Sequence, residues 1–194
     1  MLEPVLLEGP TVRLEPLHPR HADDLARAAG DGDVWRKWTT RIPAPDEVPA
    51  EIEARLAAQA AGRIVAWAVV TGGRAVGMTT YWAVDEGNRR LEIGATWLGA
   101  SAQGTGTNAE AKLLLLTRAF EVLGCIAVEF RTHWHNRQSR EAIERLGAKL
   151  DGVLRNHSIG REGTLRDTVV YSIIASEWPT VRLGLLERLR ARHQ

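Results

Sequence analysis

One stretch of the chain, residues 89–108, constrains the fold more than any other. Its sequence, RRLEIGATWLGASAQGTGTN, begins as an apolar strand and ends in small and glycine residues. A long apolar helix is predicted directly after it, at residues 109–123. Where a glycine-rich turn leads from a strand into a helix, free N–H groups and the helix dipole favour an anion by roughly 0.3–1 kcal/mol. Thr107 and Glu110 also fit the T-x-x-E capping box that marks a helix start. The stretch therefore predicts an anion-binding loop.

A dinucleotide-binding motif is one interpretation of this loop. Gly104, Gly106 and Ala109 fit G-x-G-x-x-A, and the acidic Glu129 follows Ala109 at about the right distance. However, residues 99–103 separate the first glycine from its strand, and Glu129 lies inside the next apolar run. The pattern shows one βαβ unit in mid-chain, with no room for a second mononucleotide-binding half. These features disfavour the dinucleotide interpretation.

The same loop fits Q-x-x-G-x-[G/A], the pyrophosphate loop of acyl-CoA enzymes. Gln103 and Gly106 match that motif, whereas Asn108 replaces its final Gly or Ala. A second segment follows, NRQS at residues 136–139 and LGA at residues 146–148, which is similar to N-x-x-[A/S] followed by [L/Y]-G-[F/A]. On these two motifs the chain resembles the GNAT superfamily of N-acetyltransferases, in its RimJ/RimL-type branch, over nearly its whole length.

The resemblance implies a fold, a co-substrate and an assembly. The expected fold is a single α/β (α+β) domain over residues 1–194, the GNAT fold. Its mixed, mostly antiparallel sheet has six or seven strands and is flanked by helices. Two central strands splay apart, and the pantetheine arm of acetyl-CoA lies between them. A homodimer is also expected. The order of elements indicates the same class, because antiparallel strands precede one βαβ crossover and a final hairpin.

Hydrophobic periodicity and turn residues divide the chain into elements. Strands are predicted at residues 11–17, 64–70, 75–84, 89–98, 126–132, 150–159 and 167–175. Helices are predicted at residues 19–29, 47–61, 109–123, 139–146 and 177–192. The turn TGGR at residues 71–74 joins the second and third strands as a hairpin. Residues 34–41 are left unassigned.

Composition and charge limit the partners. The 194 residues are 44% hydrophobic and 25% charged, as in ordinary soluble globular domains. A net charge of +1 gives no reason to expect nucleic acid. The one cysteine, Cys125, excludes an internal disulfide and a multi-cysteine zinc site, and no metal is expected. There is no signal-peptide pattern and no run of the roughly 20 apolar residues that a membrane span needs. We therefore expect a cytoplasmic protein that does not bind membranes.

Acetyl transfer to an amine needs a neutral nucleophile, a polarised thioester carbonyl and an acid for the departing thiolate. At pH 7 an α-amine with a pKa of about 8 is roughly one-tenth neutral, whereas a lysine amine with a pKa of about 10.4 is almost wholly charged. Bringing the reactants together is worth about 7–11 kcal/mol, and proton-transfer groups add about 10²–10⁴-fold. Positioning should therefore dominate, and the acceptor can be a protein N-terminus or a small-molecule primary amine.

Two residues are candidates for the proton transfers. Glu92 is the carboxylate within the strand before the loop, on the same face as Gly94 and Thr96 by simple alternation, and is the candidate base. Its alternative is a carboxylate paired with an arginine. Ser139 is the candidate acid, because the resemblance to the RimL type implies a serine near the coenzyme sulfur; its alternative is a helix N-cap. Many GNAT enzymes have a tyrosine four residues later, where this chain has Ile143. A non-catalytic acyl-CoA sensor is therefore the alternative function.

The resemblance also implies which residues contact the coenzyme. The backbone at Trp97 and Leu98 is expected to pair with the pantetheine amides, and Asn136 is expected to hydrogen-bond the same arm. A neighbouring strand N–H would polarise the thioester oxygen. The loop would bind the pyrophosphate through main-chain N–H groups of Gln103, Gly104, Thr105, Gly106, Thr107 and Asn108.

Acceptor contacts are predicted in two further places. Trp35 and Trp38 lie in the unassigned segment, which borders the acceptor site in this family, so they are expected to line an acceptor pocket; packing is the alternative. Arg155 lies on the strand after the short helix and is expected to meet the acceptor. His133 and His135 could titrate near neutral pH, although histidines in loops are usually just exposed.

Overall fold

An eight-stranded sheet in the order β1-β2-β3-β4-β5-β6-β8-β7 organises the part of the chain that the structure describes. The structure is a computed structural model that describes residues 3–160 and 162–191. Its strands are Leu7–Glu8 (β1), Val12–Pro16 (β2), Val65–Thr71 (β3), Arg74–Asp85 (β4), Arg90–Leu98 (β5), Ala127–His133 (β6), Lys149–Ile159 (β7) and Leu165–Ile174 (β8). Neighbouring strands are antiparallel except β5 and β6, which are parallel. The predicted mixed sheet is confirmed, and β1 is an eighth strand that the sequence pattern did not reveal.

Helices cover both faces of this sheet. The described α-helices are Ala22–Gly30 (α1), Val48–Ala60 (α2), Thr107–Thr117 (α3), Arg137–Glu144 (α4) and Trp178–Arg190 (α5). The predicted helix at residues 109–123 is α3 followed by a π-helical turn, Arg118–Val122. The buried side chains form two clusters, one between the sheet and α1 and α2, and one between the sheet and α3, α4 and α5. The end of the predicted last helix, residue 192, lies outside the described residues.

Strand β3 shows how sequence alternation builds the two layers. Trp67 is fully buried on the α3 side, where its ring lies 4.9 Å from the ring of Tyr81 in a T-shaped arrangement. Ala66 and Ala68 point to the opposite side, toward α1 and α2. Burying a large apolar side chain contributes about 1.5–3 kcal/mol, so Trp67 stabilises its side of the sheet more than the two small alanine side chains stabilise the opposite side.

The sheet opens at its centre, between β5 and β6. These strands pair through three residue pairs, Arg90 with Ala127, Leu91 with Val128, and Glu92 with Glu129. Beyond Glu92 and Glu129 the two strands are no longer paired, although both continue for several residues. The predicted central splay is therefore confirmed, and it begins immediately after Glu92.

A β-bulge lies in β5 on the opening side of Glu92. Met78 of β4 is opposite Trp97, but Thr80 is opposite Gly94, so β5 contains one more residue than β4 over this interval. Ala95 within the bulge has a φ of 46°, in the left-handed region that non-glycine residues seldom adopt. The extra residue reverses the alternation of all the side chains that follow it in β5.

The bulge corrects one expectation from the sequence. Glu92 and Gly94 share the α2 side of the sheet, but Thr96 does not lie with them. The Thr96 hydroxyl lies on the α3 side, 2.8 Å from the Thr79 hydroxyl. Alternation failed because it assumes one residue per pleat, and a bulge inserts an additional one.

The predicted capping box at the start of α3 is wrong. The N-cap residue is Gly106, which has no side chain that could form a capping box with Glu110. The Glu110 carboxylate instead accepts hydrogen bonds from the backbone N–H groups of Thr11 and Val12, at 2.8 and 3.0 Å. The start of β2 offers a buried carboxylate more donors than the helix's own first turn, so the tertiary contact replaces the local one.

Candidate active site

A cleft of about 930 Å³ lies where β5 and β6 separate. Its walls come from both splayed strands, the first turns of α3 and α4, helix α2, and the segment after α1. The cleft brings together most of the residues predicted for the site, namely Glu92, Trp97, Leu98, Gln103, Gly104, Gly106, Asn108, Asn136 and Ser139. Thr105, Thr107, Trp35, Trp38 and Arg155 do not line it.

The loop before α3 is shaped by two glycines. Gly104 and Gly106 have φ angles of 75° and 104°, which L side chains rarely adopt. Thr105 and Thr107 hold the loop from within, since the Thr105 hydroxyl donates to the Ala102 carbonyl at 2.8 Å and lies 2.8 Å from the Thr107 hydroxyl. The N–H of Thr107 donates to the Thr105 hydroxyl at 3.4 Å, whereas the N-cap residue Gly106 has no side chain to occupy the N–H groups that follow, which are available to an anion.

Gln103 connects this loop to β5 and to α4 through side-chain hydrogen bonds. Its side-chain amide donates to the Leu98 carbonyl at 2.8 Å and accepts from Gln138 at 3.0 Å. Lys37, from the segment after α1, donates to Gln138 at 2.9 Å. The Gln103 backbone N–H donates to the Ala100 carbonyl at 3.1 Å, so the predicted contact of this N–H with a pyrophosphate is wrong and Gln103 positions the loop through its side chain.

Asn136 and Ser139 have different roles at the start of α4, and the sequence did not decide which of them caps the helix. The Asn136 side chain caps α4 by accepting from the Ser139 backbone N–H at 3.1 Å. Ser139 is thus not the N-cap residue, and both side chains line the cleft. The Ser139 hydroxyl makes no hydrogen bond to the described part of the chain, which leaves it free to act toward the cleft.

Neither tyrosine of the chain faces the cleft. Tyr81 donates to the Leu115 carbonyl at 2.6 Å, inside the core, and Tyr171 donates to Glu144 at 2.7 Å. Ile143 is buried and contributes an apolar part of the cleft wall. A proton for a leaving thiolate must therefore come from a group other than a phenol.

Glu92 lies on the α2 side of the opening. Burial raises the pKa of its carboxyl group, the Arg131 charge partly opposes this shift, and Glu129 adds to it. Its Oε2 lies 3.5 Å from Nε of Arg131, which also pairs with Glu129 at 2.9 Å. A carboxyl group with a raised pKa is better matched to accepting a proton near neutral pH. Glu92 is thus a largely buried carboxyl group that also has an arginine partner, and its role as a base stays a prediction.

Arg55 of α2 also lines the cleft. Its guanidinium group pairs with Glu51 at 2.7 Å, donates to the Thr80 hydroxyl at 2.6 Å, and lies 5.9 Å from the Trp82 ring. The Arg55 side chain is 7% exposed, so these contacts fix it. Sequence reasoning did not single it out, because a helical arginine is usually solvated.

Lys112 is a second residue that the sequence analysis missed. It is buried on the α3 side of the cleft, where its ammonium group donates to Thr96 at 2.6 Å and Thr79 at 3.2 Å. Burial lowers the pKa of this lysine to about 7. The available signal was a lone charged residue in the apolar run AKLLLL.

The predicted acceptor tryptophans lie beside the cleft. Trp38 packs against His133 and His135, with ring centroids 5.0 and 5.8 Å apart, and Trp35 packs against the α1 and α2 cluster. Thr39 and Thr40 from the same segment do line the cleft. Burial lowers the pKa of His133, and its Nδ1 accepts from the His135 backbone. Acceptor contact by either tryptophan stays a prediction.

Arg155 is also directed elsewhere. Its side chain is 80% exposed and pairs with Asp167 at 2.6 Å. His157, two residues further along β7, lines the cleft and lies 3.1 Å from the Thr168 hydroxyl.

In the described residues, no group of three or more His, Cys, Asp or Glu side chains could hold a metal ion. No described helix is long and apolar enough to cross a membrane.

A mixed sheet that splays at its centre, with a helix start at the end of the opening, is the arrangement of the GNAT fold. The family model for the acetyltransferase (GNAT) domain matches residues 11–149. The chain therefore belongs to the GNAT acetyltransferase family, whose members use acetyl-CoA. No curated protein sequence matches it.

Solved structures agree with this assignment. A protein from T. thermophilus, itself provisionally assigned as an acetyltransferase, is 37% identical, with 97% of this chain and 99% of that chain covered and a TM-score of 0.86. A GCN5-related N-acetyltransferase from Brucella melitensis is 30% identical, with coverages of 96% and 86% and a TM-score of 0.86. Mycobacterium smegmatis RimJ in complex with CoA-disulfide is 23% identical, with coverages of 96% and 94% and a TM-score of 0.80, and shows the same fold.

Proposed function

We propose that this protein is an N-acetyltransferase that moves the acetyl group of acetyl-CoA to a primary amine by direct attack within a ternary complex. One observation carries the proposal. A single cleft joins the loop at residues 103–108 to the carboxylate of Glu92 through the opening between β5 and β6.

The coenzyme side of the cleft fits acetyl-CoA. The uncapped start of α3 and the loop N–H groups suit a pyrophosphate. Beyond Glu92 the β6-facing edge of β5 has no strand partner among the described residues, so its backbone near Trp97 and Leu98 can pair with the pantetheine amides. The Asn136 side-chain amide would contact the same arm while its oxygen caps α4.

The reaction needs few groups once both substrates are in place. The amine nitrogen attacks the thioester carbonyl carbon, and the carbon–nitrogen bond forms as the carbon–sulfur bond breaks. Glu92 receives the proton that the amine loses, directly or through a water molecule. The leaving thiolate takes a proton from Ser139 or from water, because the two tyrosines are engaged elsewhere. Positioning supplies most of the acceleration.

The acceptor is a primary amine, either a protein N-terminus or a small molecule, and we expect a cytoplasmic homodimer. Free thiol release from acetyl-CoA over a panel of amines and peptides tests the activity, with calorimetry for acetyl-CoA binding. We expect turnover that Ser139→Ala and Glu92→Gln both reduce. Absence of acetyl-CoA binding, with binding of an NAD analogue instead, would overturn the proposal.

A sensor that holds acyl-CoA without turnover is the second candidate function. Ile143 in place of a tyrosine is the observation that favours it. The same assay separates the two candidates, since a sensor binds acetyl-CoA in the calorimeter but releases no thiol with any amine.

A further inference from the structure

Arg166 of β8 is a guanidinium group in the cleft that no described protein group satisfies. It lines the cleft, and its Nε atom is buried without a hydrogen-bond partner. Among the described residues no carboxylate lies within ion-pair distance of it. A buried donor without an acceptor costs about 1–3 kcal/mol, so such a group calls for an explanation.

The neighbouring acidic groups are already paired with other arginines. Glu92 lies beside Arg131, at 3.5 Å, and Glu51 pairs with Arg55 at 2.7 Å. Glu92 and Arg166 influence each other electrostatically, yet they form no ion pair. Both residues line the same cleft, so one bound molecule can contact this carboxylate and this guanidinium group.

The α2 side of the cleft also carries more positive than negative charge. Its charged side chains are those of Arg41, Glu51, Arg55, Glu92, Arg131 and Arg166. Two acids against four arginines leave an excess of two positive charges on the wall where the acceptor would enter. A polycationic amine is repelled by such a wall, whereas a molecule that carries a carboxylate is attracted.

We propose that the acceptor carries a carboxylate close to its amine, and that Arg166 binds this carboxylate while Glu92 faces the amine. The inference rests on the proposed N-acetyltransferase function and narrows its substrate class. An arginine fork binds a carboxylate through two parallel hydrogen bonds, which orients the acceptor as well as holding it. The carboxylate is either that of a free α-amino acid or an acidic side chain near a peptide's N-terminus.

The test compares acceptors that differ only in the carboxylate. Thiol release from acetyl-CoA is measured with the common L-amino acids, with the amide and the decarboxylated amine of each active one, and with spermidine. A second arm uses tetrapeptides with aspartate or asparagine at the second position. We expect kcat/KM for the carboxylate form to exceed that for its neutral partner by about 10- to 100-fold, as for a hydrogen bond to a charged group. Activity in only one arm identifies the source of the carboxylate.

Variants then connect this preference to one side chain. Arg166→Gln should remove the preference, mainly by raising KM for the carboxylate acceptor, so that the ratio of kcat/KM for the carboxylate acceptor to that for its neutral partner falls to about one. Arg166→Lys should restore part of the preference, since it keeps the charge but not the fork. Arg74→Gln, an exposed arginine in the β3–β4 turn, is the matched control and should change nothing. A purely structural role would lower the activity with both acceptors together.

Two outcomes would overturn the inference. Equal kcat/KM for carboxylate and neutral acceptors, or a preference that survives in Arg166→Gln, would refute it and leave the N-acetyltransferase function intact. No thiol release with any acceptor, despite acetyl-CoA binding, would refute the proposed function and this inference with it.

Discussion

The carboxylate of Glu92 lies directly over Gly94. A Cβ atom at Gly94 would be 2.7 Å from Oε1 of Glu92 and 3.1 Å from a ring carbon of Trp82. The absence of a side chain at Gly94 is therefore what allows Glu92 to occupy its position in the cleft. We expect Gly94→Ala to displace the carboxylate and lower kcat, with little change in the dissociation constant for acetyl-CoA measured by calorimetry. Weaker acetyl-CoA binding with unchanged kcat would contradict this account.

Removal of the Glu92 charge should change the pH profile. Burial raises the pKa of this carboxyl group, so its basic form grows as pH rises through that raised value. We expect Glu92→Gln to lower kcat by about 10²-fold, the lower end for proton-transfer groups, and to abolish the limb at lower pH, on which the Glu92 carboxyl group loses its proton. The limb at higher pH, on which the acceptor amine loses its proton, should remain. Exposed Glu53→Gln on α2 is the control, and a lower-pH limb that persists in Glu92→Gln would assign that limb to another group.

The two glycines Gly104 and Gly163 form a matched pair for testing the loop. Their φ angles are 75° and 77°, and a Cβ atom would meet nothing within 4 Å at either position. Alanine should therefore cost each a similar free energy of unfolding, about 1–3 kcal/mol. We expect Gly104→Ala alone to weaken acetyl-CoA binding in calorimetry. Equal binding by both variants would mean that the loop does not hold the coenzyme.

The buried Lys112 should make the stability depend on pH. Its pKa of about 7 in the folded protein lies far below that of an unfolded lysine, so the unfolded chain binds more protons between these two values. The free energy of unfolding should then rise with pH above 7, by at most about 1.4 kcal/mol per pH unit.

Urea denaturation of wild type and Lys112→Met at pH 7, 8 and 9 measures this effect. Methionine keeps the linear side chain but cannot titrate, and the Thr79 and Thr96 hydroxyls can still bond each other. We expect the stability difference between the two proteins to shift in favour of wild type as pH rises. A difference independent of pH would show that Lys112 keeps its proton in the fold.

The Glu110 carboxylate should matter for stability and not for coenzyme binding. It accepts from two backbone N–H groups at the start of β2 and does not cap α3. Glu110→Gln should lower the free energy of unfolding by about 1–3 kcal/mol, the cost of losing charged hydrogen bonds, with acetyl-CoA affinity unchanged. The opposite pattern, intact stability with weaker binding, would favour a helix cap.

Local signals accounted for most of the fold. The hairpin of β3 and β4 and the five described α-helices follow from periodicity and turn residues, because these elements bury one regular face each. The two-residue β1 is too short to show a period. The left-handed Ala95 was equally hidden, since alanine carries no preference for that conformation and the bulge is imposed by the pairing of β5 with β4.

The candidate site was also predictable only in part. The loop and the Asn136–Ser139 segment could be predicted, because a glycine-rich turn and a helix start have sequence signatures. Lys112 and Arg166 could not, since their importance depends on what long-range packing places around a charge. Local rules place Thr107 and Glu110 in a capping box, but the neighbouring strand offers that carboxylate better partners.

The extra residue at Ala95 also bears on how this strand can be redesigned. If β5 kept all of its residues but paired with β4 without the bulge, Thr96 would turn toward the arginine-rich wall and Trp97 would move to the side of Lys112. A grafted β5 of the same length must therefore keep a bulge at this place, or the two faces of the cleft would exchange their side chains. The length of this segment, more than its chemical character, is what an alignment or an engineered chimera has to preserve.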